Sequence, residues 1–257
     1  MGKVYFIGAG PGDIELLTIK AVKILKRSDV VIYAGSLVNG DILSFTKKDA
    51  KVFDSSSMTL KEIINTMIDA CKNGYDVARL HSGDPSIYGA IAEQMKELEK
   101  FNIEYEIIPG ITSLFAAASK LKVQLTAPEI SQTVVITRLE GRTKMPEDES
   151  IDKILSHGGT FCFYLSVDKL KEIVDACLRA GFDKDTPVAV CYRIGWKDEK
   201  IVKGNLKDIT KKASGINRQA LVIVGKVLNR DISNYSKLYD ENFSHGYRKN
   251  SNNIDKQ

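Results

Sequence analysis

Ser82-Gly83-Asp84-Pro85-Ser86-Ile87-Tyr88-Gly89 follows a short apolar run, Val77–Leu80, and opens a stretch with helical spacing, Ile87–Lys100. A buried strand that ends in a Gly/Pro loop and passes into a helix is one βα unit of an α/β sheet. Three more segments of the first half hold the same place. Gly8-Ala9-Gly10-Pro11-Gly12-Asp13 follows Val4–Ile7, Tyr33-Ala34-Gly35-Ser36-Leu37-Val38 ends the run Val30–Tyr33, and Ile108-Pro109-Gly110-Ile111-Thr112-Ser113 ends the run Tyr105–Ile108. Open α/β sheets bind ligands at the carboxyl ends of parallel strands. Four such loops therefore predict one shared site.

Outward from these loops, the first half alternates strands with helices. Helical spacing covers Leu16–Lys26, Leu60–Lys72 and the Ala-rich Ile111–Lys120, and Val52–Phe53 is a weak strand. Alternation of this kind predicts a mostly parallel sheet with right-handed crossovers. The character changes around Leu121–Pro128. Beyond it, strands are expected at Thr133–Thr137, Thr160–Leu165, Val188–Tyr192 (with Pro187 at its start), Lys200–Val202 and Ala220–Val224. Helices are expected at Ile151–Ser156, Val167–Ala180 and Leu206–Lys212. Close succession of strands predicts a mixed sheet. The expected organisation is two α/β domains, residues 1–119 and 120–228, followed by a polar tail at 229–257, poorly ordered by its composition.

Composition narrows the function. Hydrophobic residues make up 43% of the 257 and charged residues 27%, the balance of an ordinary globular chain. No apolar run approaches the roughly 20 residues of a membrane span, and the N-terminus lacks a signal-peptide layout. No membrane role and a cytoplasmic location are expected. The net charge of +4 is spread along the chain rather than gathered in a basic stripe, so no nucleic-acid partner is expected. That excess suits a small polyanionic substrate or serves solubility alone. Cys71, Cys162, Cys177 and Cys191 are widely spaced, which reads as buried thiols, with no metal site expected. His81, His157 and His245 lie far apart; His81 either reaches the site or packs beneath its loop.

The first loop is not a dinucleotide fingerprint. The third glycine of Gly-x-Gly-x-x-Gly would fall at Asp13, whose charge opposes a pyrophosphate, and Pro11 removes an amide donor. Asp13 either caps the next helix or faces a ligand. A nicotinamide dehydrogenase is excluded on the same ground. No Gly-x-Ser-x-Gly, His-Glu-x-x-His or P-loop is present. A reaction between reactants already activated fits such a chain. Methyl transfer from a sulfonium to an electron-rich carbon is one; it needs alignment and exclusion of water more than a strong base.

The four segments, in this order and spacing, resemble the tetrapyrrole (corrin/porphyrin) methylase family over roughly residues 3–228. Tyr33–Val38, Pro128-Glu129-Ile130-Ser131-Gln132-Thr133 and Thr137-Arg138 are similar to its precorrin-4 C11-methyltransferase branch; the uroporphyrinogen-III branch usually carries Tyr-Asp-x-Leu at the Tyr33 segment. The resemblance implies two α/β domains, an interdomain cleft, a homodimer, a tetrapyrrole substrate and S-adenosylmethionine as methyl donor. It implies a donor pocket of Pro11, Gly83, Asp84, Pro85, Tyr88, Thr112 and Ser113 in the first half, and Leu165, Tyr192, Arg193, Ile194 and Ala220 in the second. By their spacing alone, the residues at 163–165 and Ala220 read as strand core. For the carboxylate-rich ring the candidates are Asp13, Tyr33, Ser36, Gln132 and Arg138. Arg193 is a further carboxylate clamp, and Arg142 reads as a solvated cation. No catalytic base is expected. The rival readings are another methylase of the same fold and a non-catalytic binder of S-adenosylmethionine or tetrapyrroles.

Overall fold

The computed structural model of the protein describes residues 1–141, 143–229, 236, 240 and 243–248. Arg142 and most of the expected tail at 229–257 lie outside the described residues. Two five-stranded sheets carry the fold. The first contains β1 (Val4–Gly8), β2 (Val30–Tyr33), β3 (Lys51–Asp54), β4 (Val77–His81) and β5 (Tyr105–Ile108), in the order β3-β2-β4-β1-β5. Every pairing in it is parallel. The central strands β1 and β4 are buried at every residue, so β1 is apolar without alternation, while β4 buries Arg79 and His81 among its apolar residues.

Between these strands run α1 (Ile19–Leu25), α2 (Leu60–Lys72) and α3 (Ala92–Glu99). Thr59 and Glu62 close a reciprocal cap at the start of α2, so its bounds agree with the sequence pattern. Two expected helices are shorter. Thr18 caps α1 by accepting from the Ala21 amide at 3.1 Å, which cuts the Leu16–Lys26 pattern to Ile19–Leu25. The Ile87–Lys100 pattern becomes a turn at 85–88 followed by α3, because Tyr88 and Ala90 adopt left-handed backbone (φ 55° and 51°) that no helix accommodates.

The second sheet contains β6 (Val134–Thr137), β7 (Thr160–Phe163), β8 (Pro187–Tyr192), β9 (Lys200–Asn205) and β10 (Ala220–Val224), in the order β6-β7-β10-β8-β9. β6 and β7 are parallel; the other pairs are antiparallel. α5 (Ile151–Leu155), α6 (Leu170–Arg179) and α7 (Ile209–Lys212) cover one face, where Phe161, Phe163, Ile173 and Val190 are fully buried. The other face is covered by α4 (Ser113–Leu121), whose Leu114, Ala117 and Leu121 pack on Cys162, Cys191 and Ile223. The helix that follows the first sheet thus belongs, by packing, to the second. All four cysteines are free and buried.

Candidate functional site

Strand order explains why the four loops meet. β2, β4, β1 and β5 are neighbours, so their C-terminal loops lie side by side along one edge. Three of them pack backbone against backbone. A Cβ on Gly110 would lie 2.2 Å from the Gly83 carbonyl oxygen, and one on Gly8 would lie 2.5 Å from the Gly110 Cα. Only glycine permits that approach. Gly10 and Gly83 exchange backbone hydrogen bonds of 3.2 and 2.8 Å. Asp84 ties the third loop to the fourth: Oδ1 accepts from the Ser86 amide and Oδ2 from the Gly110 amide, both at 2.8 Å. Burial alone would raise the Asp84 carboxyl; the Ser86 and Gly110 donors outweigh it and hold the carboxyl below its ordinary range.

The second sheet faces these loops across a cavity of about 380 Å³, within the usual size for small-molecule sites. From the first half, Pro11, Gly83, Asp84, Tyr88, Thr112 and Ser113 line it; from the second, Leu165, Arg193, Ile194 and Ala220. Two expected residues do not reach this wall. Pro85 turns the loop behind Asp84, and Tyr192 lines a smaller neighbouring cavity with Asp198, Lys200 and Arg218. The five residues expected at the ring also lie off the cavity wall. Asp13 caps the turn Ile14–Leu16 by accepting from the Glu15 amide at 3.0 Å. Gln132 donates to the Ala127 carbonyl at 3.1 Å, and the Arg138 guanidinium donates to the carbonyls of Leu139, Thr143 and Lys144. The Ser36 carbonyl accepts from Gln219, and Tyr33 packs partly buried in the first core.

The cavity also has walls that the sequence reading passed over. Leu37, Ile87, Tyr164, Val167, Asp168, Trp196, Arg218 and Gln219 all line it. Trp196 is the only tryptophan of the chain, and a Cβ on Gly12 would fall 2.3 Å from its ring. That glycine-on-indole contact seats the first loop on the second half. Arg193 lies 4.0 Å over the Trp196 ring and pairs with Asp198 at 3.2 Å, so its charge is matched from two sides. Its buried Nε has no hydrogen-bond partner. The Tyr164 hydroxyl sits 3.0 Å from Thr112 Oγ1 and accepts from the Leu114 amide at 3.2 Å, at the start of α4. Burial pushes that phenol up, and it stays protonated as a donor. Backbone strain gathers here. Tyr88, Leu165, Arg193 and Gln219, all cavity-lining, have φ between 44° and 55°, and non-glycine residues hold such angles only where the surroundings enforce them.

His81 lies beneath the loops, not in the cavity wall. It is buried against Phe6, with ring centroids 5.9 Å apart, and its Nε2 has no partner. Desolvation first, and the Arg79 charge second, push its pKa down to about 3, so it is neutral at working pH.

The model of the tetrapyrrole (corrin/porphyrin) methylases matches residues 3–210. The chain belongs to this family. It is 54% identical to the cobalt-precorrin-4 C(11)-methyltransferase of Methanocaldococcus jannaschii, covering 96% of each chain. The solved structure of a cobalamin biosynthetic enzyme, cobalt precorrin-4 methyltransferase, superposes with a TM-score of 0.85 at 43% identity, over 88% of this chain and 95% of that one. The uroporphyrin-III C-methyltransferase of Thermus thermophilus, solved in complex with S-adenyl homocysteine, gives a TM-score of 0.75 at 28% identity, over 89% and 94%. Among the described residues, no helix is long and apolar enough to cross a membrane, and no group of His, Cys, Asp and Glu is placed to hold a metal ion.

Proposed function

We propose that the chain is an S-adenosylmethionine-dependent C-methyltransferase of corrin-ring assembly that methylates (cobalt-)precorrin-4 at C-11. The observation that carries the reading is the 54% identity over 96% of both chains with a cobalt-precorrin-4 C(11)-methyltransferase. The cavity chemistry fits the methyl donor. Leu37, Leu165, Val167 and Ile194 offer apolar walls, while Asp84 and Asp168 place two carboxylates beside them. That combination suits a cation carrying a nucleoside.

When bound, S-adenosylmethionine supplies an electrophilic methyl group on a sulfonium, and S-adenosylhomocysteine is the co-product. In this reading Pro11, Gly83, Asp84, Tyr88, Thr112 and Ser113 hold one side of it, with Leu165, Arg193, Ile194 and Ala220 on the other, while Pro85 sets the turn behind Asp84 and Tyr192 lies outside this wall. Asp84 acts with both oxygens already engaged, so it enters the site preset. The loops exclude water and fix the approach line, which supplies rate through alignment. No side chain is asked to move a proton. Asp13, Tyr33, Ser36, Gln132 and Arg138 lie off the donor wall and serve the acceptor ring, whose carboxylates suit Arg138. Residues 1–119 form most of the acceptor side and part of the donor site, and residues 120–228 the rest of both, with Gln132 and Arg138 on the acceptor side. A homodimer working in the cytoplasm completes the reading on the strength of the family resemblance, and light scattering tests the dimer.

The deciding experiment is incubation with methyl-labelled S-adenosylmethionine and precorrin-4, with and without cobalt, followed by mass spectrometry and NMR of the product. One added methyl at C-11 is expected. No transfer to either ring, with the donor still bound, would overturn the assignment and direct the search to uroporphyrinogen III.

A further inference from the structure

The segment 34–46 contributes Leu37 to the donor cavity, and it is tied to the rest of the molecule at several points in its first half. Near its start, the Gly35 amide donates to Asp54 Oδ1 at 3.0 Å, and a Cβ on Gly35 would lie 2.5 Å from Asp54 Oδ2. In its middle, Asn39 Nδ2 donates to the Gly12 carbonyl at 2.9 Å, on the first loop. Across the cleft, Gln219 Nε2 donates to the Ser36 carbonyl, 183 residues away in sequence. Lys197 also faces Asp41 at 3.9 Å. Leu37, between these ties, lines the cavity and is 48% exposed, so the strap stands between the cavity and solvent.

The Gln219 tie is held on strained backbone. Gln219 has φ 52°, and its carbonyl accepts from the amide of Arg193, itself at φ 44°. An ordinary strand entry into β10 would not need either angle; the pair turns the Gln219 side chain out of the sheet and over the cleft. Strain of this kind persists where the surrounding structure enforces one geometry.

We infer that Gln219 is a positioning residue for the methyl acceptor. Its amide latches the 34–46 strap to the second half, which sets Leu37 over the donor cavity and fixes how deep a planar ring can enter. Gln219 and Leu37 both line the donor cavity, so the readout that isolates the positioning role is the split between acceptor KM and kcat at saturating donor. This inference rests on the proposed methyl transfer for its kinetic test, but not for its structural one.

The test uses Gln219→Met, which keeps the side-chain length, adds no charge and removes the donor. Amide hydrogen exchange in the free protein is read first and needs no acceptor. Residues 35–38 are expected to exchange about three- to tenfold faster in the variant, the range that loss of one hydrogen bond allows. Unchanged exchange at 35–38 overturns the latch whatever the enzyme's substrate. In turnover at saturating donor, the variant is expected to raise the acceptor KM by a similar factor while kcat changes by less. Asp54→Ala, which removes the tie at the adjacent Gly35, is expected to give the same split. An unchanged acceptor KM in an active enzyme, or a kcat that falls by more than KM rises, overturns the positioning role. A wild-type protein that transfers no methyl to precorrin-4 fails the proposed function instead, and leaves the exchange result standing.

Discussion

The two halves of the molecule build one cavity by opposite means. The first half uses backbone: Gly8 and Gly110 pack against each other and the Gly83 carbonyl so closely that neither admits a Cβ. The second half uses side chains thrown outward from strand ends by left-handed residues, as at Leu165, Arg193 and Gln219. Leu165 shows the cost of that choice, being 69% exposed as a leucine with φ 50°. Glycine-packed loops give a rigid floor; strained strand ends give aimed contacts. In the proposed function, a donor held between them would be gripped by one half and fitted by the other.

The difference can be broken at its strongest point first. Gly110→Ala would put a methyl 2.2 Å from the Gly83 carbonyl oxygen and 2.7 Å from the Gly8 Cα, both backbone. A loss of about 3 kcal/mol or more in chemical denaturation is expected, with donor binding abolished. Gly215→Ala, where the new methyl meets open space, is the control expected to change neither.

Asp84→Ala removes the tie between the third and fourth loops without a steric clash. Donor affinity is expected to fall by about ten- to a hundredfold in calorimetry, the range for losing a charged hydrogen-bonding group. The protein should still fold, at a cost of about 1–3 kcal/mol for the Gly110 amide left without its acceptor. Unchanged donor affinity would remove Asp84 from the site.

His81 sharpens the comparison through pH. Its folded pKa, pushed down to about 3 by burial and then by the Arg79 charge, lies below its ordinary value of 6.5. Between those values the unfolded chain binds more protons, so stability rises with pH across this window and is full above it. Denaturation midpoints from pH 6.5 down to 4 should show this loss, at about 1 kcal/mol per pH unit. His81→Phe should flatten that part of the profile; an unflattened slope would mean that other groups carry it.

The smallest effect has the opposite sign for stability. Leu165→Gly relieves a left-handed leucine, so stability is expected to hold or to rise by up to about 1 kcal/mol, while donor affinity falls. Loss of both together would show that Leu165 packs for the fold rather than for the ligand.

What the sequence made legible follows the same divide. The four loops could be read because glycine and proline punctuate strand ends, and the neighbouring order of β2, β4, β1 and β5 then brings them together. The α2 bounds were readable because the Thr59–Glu62 cap and the apolar spacing agree. The change of pattern around Leu121–Pro128 is visible, but the pattern does not show that α4 packs on the second sheet, since an Ala-rich helix fits either. In the second half, Leu165, Arg193, Ile194 and Ala220 were placed only through the family resemblance. Trp196, Asp168 and Gln219 were missed, because a single residue at a strand end leaves no periodic signal. The one available hint was a lone tryptophan next to Gly195, whose own Cβ would meet the Asp13 amide at 2.8 Å. Arg138 and Gln132 carried the chemistry of ring recognition, yet their polar groups are engaged by nearby carbonyls in this structure.

The most direct test of a donor held between the two halves is a crystal structure of the protein with S-adenosylhomocysteine. The ligand is expected in the 380 Å³ cavity, touching Asp84 and Gly83 on one side and Leu165, Arg193 and Ala220 on the other. A ligand bound elsewhere, or contacting only one of the two sheets' residues, would contradict it.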